Sequence, residues 1–225
     1  MTHARTSQLV RRYHPMRLLG ALSGGVCVVL ALGASAPPDA LAATHLIAGA
    51  RAAASGGTWT VAPGGTSLSG SYFNVRDTKT GAGYSCGASM TLAFKAGSGL
   101  SGRDIASVSS VSFGHCSGWT VKAGRLPWAV NAKHYYPVTG TTAGTLTRLT
   151  VSFSGGGCHF TVGNPTTTSQ VRIIHINSQG RLHLLPTGGN LQFFDVSGCP
   201  GSGNGDPATI AARVDLQTPQ TITSP

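Results

Sequence analysis

The chain of 225 residues contains no glutamate, and its only acidic residue is aspartate, which occurs six times. Enzymes that act through paired carboxylates, such as glycoside hydrolases, therefore have few candidate residues here. The aspartates after residue 42 are isolated from one another, at Asp77, Asp104, Asp195, Asp206 and Asp215. None of them lies in a recognisable acid–base setting, so the sequence argues against a hydrolase of this kind.

Other signatures of catalysis and cofactor binding are missing as well. The sequence has no G-x-S-x-G motif, and the glycine-rich residues 201–206 lack the lysine of a P-loop. Residues 114–118 (GHCSG) have the outline of a nucleophile elbow around Cys116, but the residues that follow predict a strand instead of a helix. A cysteine held in a disulfide cannot form the reactive thiolate. We therefore expect a protein that is not an enzyme and that holds no cofactor or metal.

Long periodic stretches of helix-forming residues are also scarce, whereas Gly, Thr, Ser and Val are abundant. Short β-prone runs follow one another between glycine or proline residues, at 58–61, 69–76, 89–95, 106–113, 119–123, 128–132, 144–153, 159–162, 171–177, 181–185, 191–196 and 208–216. No segment between them is long enough for a crossover helix, which excludes a parallel sheet. Residues 58–225 are predicted to form a single all-β domain, an antiparallel β-sandwich with a β-barrel as the alternative.

The N-terminal segment has the three parts of a signal peptide. Arg5, Arg11, Arg12 and Arg17 precede an apolar stretch at 18–36, and Ala40-Leu41-Ala42 offers a cleavage site. We therefore predict a signal peptide at 1–42 and a flexible leader at 43–57. The mature protein is expected to be extracellular or loosely associated with the cell envelope, without a transmembrane segment.

Four cysteines follow the predicted cleavage site, at Cys86, Cys116, Cys158 and Cys199. An even number of cysteines in an exported chain predicts disulfide bonds. Four cysteines allow three pairings. Because neighbours in sequence tend to be neighbours in space, we favour Cys86 with Cys116 and Cys158 with Cys199.

The charge of the chain is strongly positive, with 16 lysines and arginines against 6 aspartates. Four of these basic residues and one aspartate precede residue 43, so the predicted mature chain keeps a formal charge of +7. The basic residues are scattered singly, which argues against a nucleic-acid partner. A positive surface favours anionic cell-wall polymers or the envelope surface as partners.

One hairpin stands out around residues 177–180 (NSQG), where asparagine opens a turn and Gly180 supplies a left-handed residue. This turn predicts Asn177 opposite Arg181 and His175 opposite His183. Ile174, Ile176, Leu182 and Leu184 would then share the core face.

The strands of this hairpin provide the candidate binding residues, Arg172, His175, Arg181 and His183, of which His175 and His183 share the face opposite the core face. Two opposed histidines also raise the hypothesis of a metal site, but an ion normally requires three or four ligands. We therefore expect two histidines on a solvated face, able to add positive charge below about pH 6.5.

Several short segments occur together along the chain. The first half contains GLSG at 99–102, IASVSSVSF at 105–113 ahead of Cys116, and LPWAVNA at 126–132. The second half contains SGC at 197–199, GDPA at 205–208 and QTITS at 220–224. In this combination the chain resembles a group of small secreted actinobacterial β-proteins rich in Gly, Thr and Ser. The resemblance implies secretion, disulfides and a β-domain, and it carries over no catalytic residue. Residues 171–185 are more basic than in that group, so we expect a role specific to this chain there.

Two functions of different classes fit these observations. The first is a secreted, non-catalytic protein that binds the cell envelope or its polymers. The alternative is a carrier whose sheet closes around a small apolar ligand, which requires an internal cavity of some hundreds of Å³.

Overall fold

The computed structural model describes residues 59–62 and 70–224, so the predicted signal peptide and leader lie outside the described residues. The strands in chain order are β1 (Trp59–Val61), β2 (Gly70–Asp77), β3 (Gly83–Phe94), β4 (Gly97–Leu100), β5 (Ala106–Gly114), β6 (Thr120–Gly124), β7 (Trp128–Tyr136), β8 (Thr141–Thr147), β9 (Thr150–Gly155), β10 (Cys158–Gly163), β11 (Gln170–Ile176), β12 (Arg181–Leu185), β13 (Gln192–Ser197), β14 (Ala208–Asp215) and β15 (Ile222–Thr223). A short 3-10 turn, Asn177–Gln179, joins β11 to β12. Within these ranges, no helix has the length and apolar character that a membrane crossing requires.

Eight strands hydrogen-bond side by side in the order β11-β12-β14-β2-β3-β5-β7-β8, and β8 pairs back with β11. We call this closed arrangement the strand ring. Every pairing within it is antiparallel, so the predicted antiparallel all-β fold is confirmed. Alternate side chains point into the ring and form its core, for example Phe73 and Val75 on β2 and Ile210 and Val214 on β14.

A second sheet, in the order β13-β10-β9-β6, packs on the strand ring. Its inner face contributes Phe153, Phe160 and Phe193, which are fully buried. Tyr84 on β3 of the strand ring lies 4.7 Å from Phe160 and 5.7 Å from Phe153 between ring centroids. This packing of two β-layers around an aromatic core is sandwich-like, which agrees with the predicted β-sandwich.

A third, smaller sheet has the order β15-β1-β4 and brings the two ends of the described chain together. Thr60 lies opposite Thr223, and Val61 lies opposite Ile222. Neither β4 nor β15 is anticipated from the sequence. β4 (GSGL) contains hardly any β-prone residues, so it becomes a strand only because β1 pairs with it.

Both favoured disulfides are present. Cys86 on β3 is bonded to Cys116 after β5, with 4.3 Å between their Cα atoms. Cys158 at the start of β10 is bonded to Cys199 after β13, with 4.6 Å between their Cα atoms. Each bond therefore ties a loop to a strand of its own layer.

The predicted register of the β11–β12 hairpin is wrong by one residue. Ile176 lies opposite Arg181, and His175 lies opposite Leu182. Because side chains alternate along a strand, this shift turns every β11 side chain to the opposite face. His175 therefore joins the core together with Val171 and Ile173, whereas the predicted core residues Ile174 and Ile176 are only half-buried. On β12 the prediction is confirmed, because Leu182 and Leu184 are buried.

The turn itself explains the shift. The backbone N–H of Asn177 donates to the carbonyl of Gly140 at 3.0 Å, and its side chain exchanges two hydrogen bonds with the backbone of Ile222. Asn177 is thus held by partners outside the hairpin and is not paired with Arg181. Gly180 does take the predicted left-handed conformation, at φ +57°.

Candidate anion-binding groove

Three strands begin or end at the same end of the second sheet. Gly124, the last residue of β6, lies opposite Thr150, the first residue of β9. β10 lies on the other side of β9 and ends at Gly163, so the loop that follows starts from the same end of the sheet. A groove of about 470 Å³ opens there, lined by Arg125, Arg148 and residues 165–169. We call it the arginine groove.

Both arginines sit on left-handed backbone, with φ of +53° at Arg125 and +66° at Arg148. A non-glycine residue in this region is strained by about 1–2 kcal/mol, and such strain is concentrated at functional sites. The surrounding loops hold both residues in place. The N–H of Arg148 donates to the carbonyl of Ser169 at 2.8 Å, and Arg125 Nη1 donates to the carbonyl of Asn164 at 3.5 Å.

The loop opposite the arginines is fixed by two asparagines. Asn164 Oδ1 accepts hydrogen bonds from the N–H groups of Thr166 and Thr167, at 3.1 and 2.8 Å, and from Thr166 Oγ1 at 3.1 Å. Asn164 Nδ2 donates to the carbonyl of Asn190 at 3.0 Å, and Asn190 Oδ1 accepts from the N–H of Gln170 at 2.7 Å. The threonine-rich wall of the groove is therefore preorganised.

The chemistry of the groove is cationic and hydroxyl-rich. Among the described residues, ion pairs join Lys79 to Asp206 and Asp215 to both Arg181 and Arg213, but none involves an arginine of the groove. No acid lines the groove either. Two guanidinium groups beside exposed threonine hydroxyls are suited to binding phosphate or carboxylate groups.

The predicted binding residues are not assembled into one site. Arg181 Nε donates to Asp215 Oδ1 at 2.9 Å, and Arg213 Nε donates to the same atom at 3.0 Å. Burial alone would raise the pKa of Asp215, but the hydrogen bonds and charges of the two arginines outweigh it and lower the pKa. The charge of Arg181 is thus largely compensated, whereas Arg172 is exposed on the outer face.

His175 is not on the binding face, which corrects the prediction. Its side chain is buried, and burial lowers its pKa to about 4, with the nearby Asn177 side chain opposing the shift. His175 is therefore neutral at pH 6.5 and cannot add the predicted positive charge. His183 lies opposite Ile174 and Arg213, so the proposed histidine pair does not form. In the part of the chain that the structure describes, no three His, Cys, Asp or Glu residues come together as a metal site.

Sequence reasoning missed both arginines of the groove. Arg148 falls inside the predicted strand 144–153, where the chain in fact turns between β8 and β9. Only the run of three threonines at 166–168 was visible as a local signal. Comparison of the chain with protein-family models, curated proteins and solved structures finds no match in any of the three.

Proposed function

We propose that this protein is a secreted, non-catalytic binding protein for anionic polymers of the cell envelope, and that the arginine groove is its binding site. One observation carries the proposal: Arg125 and Arg148 face a preorganised hydroxyl-rich loop, and no acidic side chain of the described residues pairs with either. The two disulfides fit a protein of an oxidising compartment.

The shape of the groove favours a polymer as the ligand. It is open to solvent, unlike an enclosed pocket for a small molecule, and both of its arginines lie at the same end of the second sheet. A guanidinium group presents a planar fork of donors that matches a phosphate or carboxylate. A repeating anionic chain can contact both forks and the threonine hydroxyls at the same time. The positive charge of the whole chain adds long-range attraction.

The alternative of an apolar-ligand carrier has less support. The interior of the strand ring is filled by side chains, and those of Phe73, Met90, Leu92, Trp128 and Leu146 are fully buried there. An eight-stranded ring is just wide enough for side chains to fill it. A cavity of several hundred Å³ inside the ring would require most of these residues to be smaller.

Co-sedimentation with isolated bacterial cell walls tests the proposal. The purified protein should sediment with walls at low ionic strength. It should be released as salt rises to several hundred millimolar, because the screening length then shrinks to a few Å. The double variant Arg125→Gln/Arg148→Gln should lose most of this retention.

The matched control is Arg172→Gln/Arg181→Gln, which removes the same charge from the hairpin. Equal loss in the two double variants would mean that only net charge matters, and it would refute a defined groove. A larger loss in the control would place the site on the hairpin. Retention that survives high salt would refute the electrostatic mechanism.

A further inference from the structure

A second, smaller pocket lies at the end of the strand ring where β12 ends and β14 begins. Its volume is about 160 Å³. Seven of its eleven lining residues are apolar, namely Val171, Leu185, Pro186, Leu191, Pro207, Ala208 and Ile210, and the others are Thr78, Thr209, Gly188 and Gly189. A dry cavity of about 150 Å³ is sufficient for one benzene molecule, so the pocket fits one compact apolar group.

Arg172 is not among the lining residues, but its side chain passes beside one of them, Gly188. The side chain of Arg172 runs across Gly188, so a Cβ at Gly188 would collide with Arg172 Cδ and come within 3.4 Å of its Nε. Gly188 also has φ of +72°, which disfavours any side chain. The ion pairs of the described residues do not include Arg172, so its guanidinium remains available to an anion.

We infer that this pocket binds a compact apolar carboxylate, with the apolar group among Leu185, Leu191 and Ile210 and the carboxylate on Arg172. A pocket whose lining residues are mainly apolar, with one charged group beside it, is typical of small-molecule sites. The same chemistry occurs in a free acid of the size of benzoate and in the last residue of a peptide that ends in valine. This site is separate from the arginine groove and does not depend on the proposed function.

Titration of the ¹⁵N-labelled protein, followed by amide chemical shifts, tests the inference. Benzoate is the probe. Benzamide has the same shape without the charge, and acetate has the charge without the apolar group. We expect benzoate to shift the amides of Leu185, Gly188 and Ala208, and to bind at least about tenfold more tightly than either control, a difference of about 1.4 kcal/mol.

Arg172→Gln should weaken benzoate binding about tenfold and leave benzamide binding unchanged, because only the charged contact is lost. Gly188→Ala should weaken benzoate as well, because its methyl group displaces the Arg172 side chain. Arg148→Gln, the matched charge control in the arginine groove, should leave the benzoate shifts of Leu185, Gly188 and Ala208 unchanged. Failure of wall binding would therefore not imply failure of benzoate binding at this pocket, and failure of benzoate binding would not imply failure of wall binding.

Equal affinity for benzoate and benzamide would overturn the inference, as would an unchanged affinity for benzoate in Arg172→Gln. The absence of shifts at these amides at the highest soluble benzoate concentration would overturn it too. A peptide that ends in valine with a free carboxylate, compared with its amidated form, identifies the source of the ligand. Tighter binding of the free peptide than of benzoate would indicate a chain end, and the opposite order a free acid.

Discussion

The imidazole of His175 lies edge-on to the ring of Phe94 inside the strand ring, with 6.0 Å between the ring centroids. His175 is 1% exposed, and neither of its ring nitrogens has a hydrogen-bond partner among the described residues. Its cross-strand neighbour Thr142 is also buried, with its hydroxyl likewise unpaired. Leu182 lies on its other side. The core thus contains a neutral histidine whose protonation is opposed by its surroundings.

Protonation of His175 should therefore link acid to unfolding. The folded-state pKa is about 4 against an ordinary value of 6.5, so the unfolded chain binds the proton more readily between these values. The free energy of unfolding is not reduced by this group above pH 6.5, and it decreases as the pH falls from 6.5 toward 4. His175→Leu should remove this dependence of the unfolding free energy on pH. The difference in unfolding free energy, variant minus wild type, should therefore be about 2 kcal/mol larger at pH 5 than at pH 8. Urea unfolding at both pH values measures the difference, and parallel profiles would contradict the assignment.

Gly144 on β8 should not tolerate a side chain. A Cβ there would collide with the carbonyl oxygen of Asn131 and lie 3.3 Å from the Cα of Ala132, and neither backbone atom can move independently of the β7–β8 ladder. Gly144→Ala should destabilise the protein by about 2–3 kcal/mol. Gly114→Ala is the matched control, because no atom lies within 4 Å of its Cβ position, and it should change the stability by less than about 0.5 kcal/mol. Equal thermal midpoints for the two variants would refute the close approach.

Asp77 should be a second source of acid sensitivity. Its carboxylate is buried and accepts hydrogen bonds from Ser202 Oγ at 2.7 Å and from the N–H groups of Lys79 and Thr80 at 2.8 and 3.1 Å. Burial alone would raise the pKa of Asp77, but these hydrogen bonds outweigh it, and the pKa lies below the ordinary 3.8. The stability that the Asp77 carboxylate contributes is present above pH 3.8, and it is lost as the pH falls through the pKa of Asp77 in the folded protein.

Asp77→Asn should therefore lose about 1–3 kcal/mol at pH 7 and show a smaller further loss below pH 3.8 than wild type. Asp195→Asn provides the comparison, because Asp195 is exposed and its φ of +53° is one that asparagine accepts. That variant should differ from wild type by less than about 0.5 kcal/mol at pH 7. Similar losses in both variants would argue against a special role for the buried carboxylate.

Asn164 should affect wall binding without any change in charge. Its side chain positions Thr166 and Thr167 in the arginine groove, so Asn164→Ala should loosen the loop and reduce retention on cell walls. The free energy of unfolding should fall by about 1–3 kcal/mol. Asn74→Ala removes an asparagine whose side chain bonds an exposed serine, Ser85, and it should retain full wall binding. Full retention by Asn164→Ala would show that the loop geometry does not contribute.

The positions of the strands followed from local features of the sequence. Short β-prone runs between glycines and prolines located most strands, because alternation and turn residues act over a few residues only. The disulfide pairing also followed from the order of the cysteines along the chain. Each bond joins neighbours in sequence, at separations of 30 and 41 residues.

Tertiary contacts decided the register and the site. The turn residue Asn177 is held by Gly140 and Ile222, both more than thirty residues away in sequence, and this shift of one residue moved His175 from the surface to the core. Arg125 and Arg148 line the same groove only because the end of β6 lies opposite the start of β9. Pairing between distant strands depends on packing and hydrogen bonds that no local pattern encodes, so the sequence by itself determined the fold class and the covalent links. The folded chain alone decided which face each β11 side chain occupies and which cations share a groove.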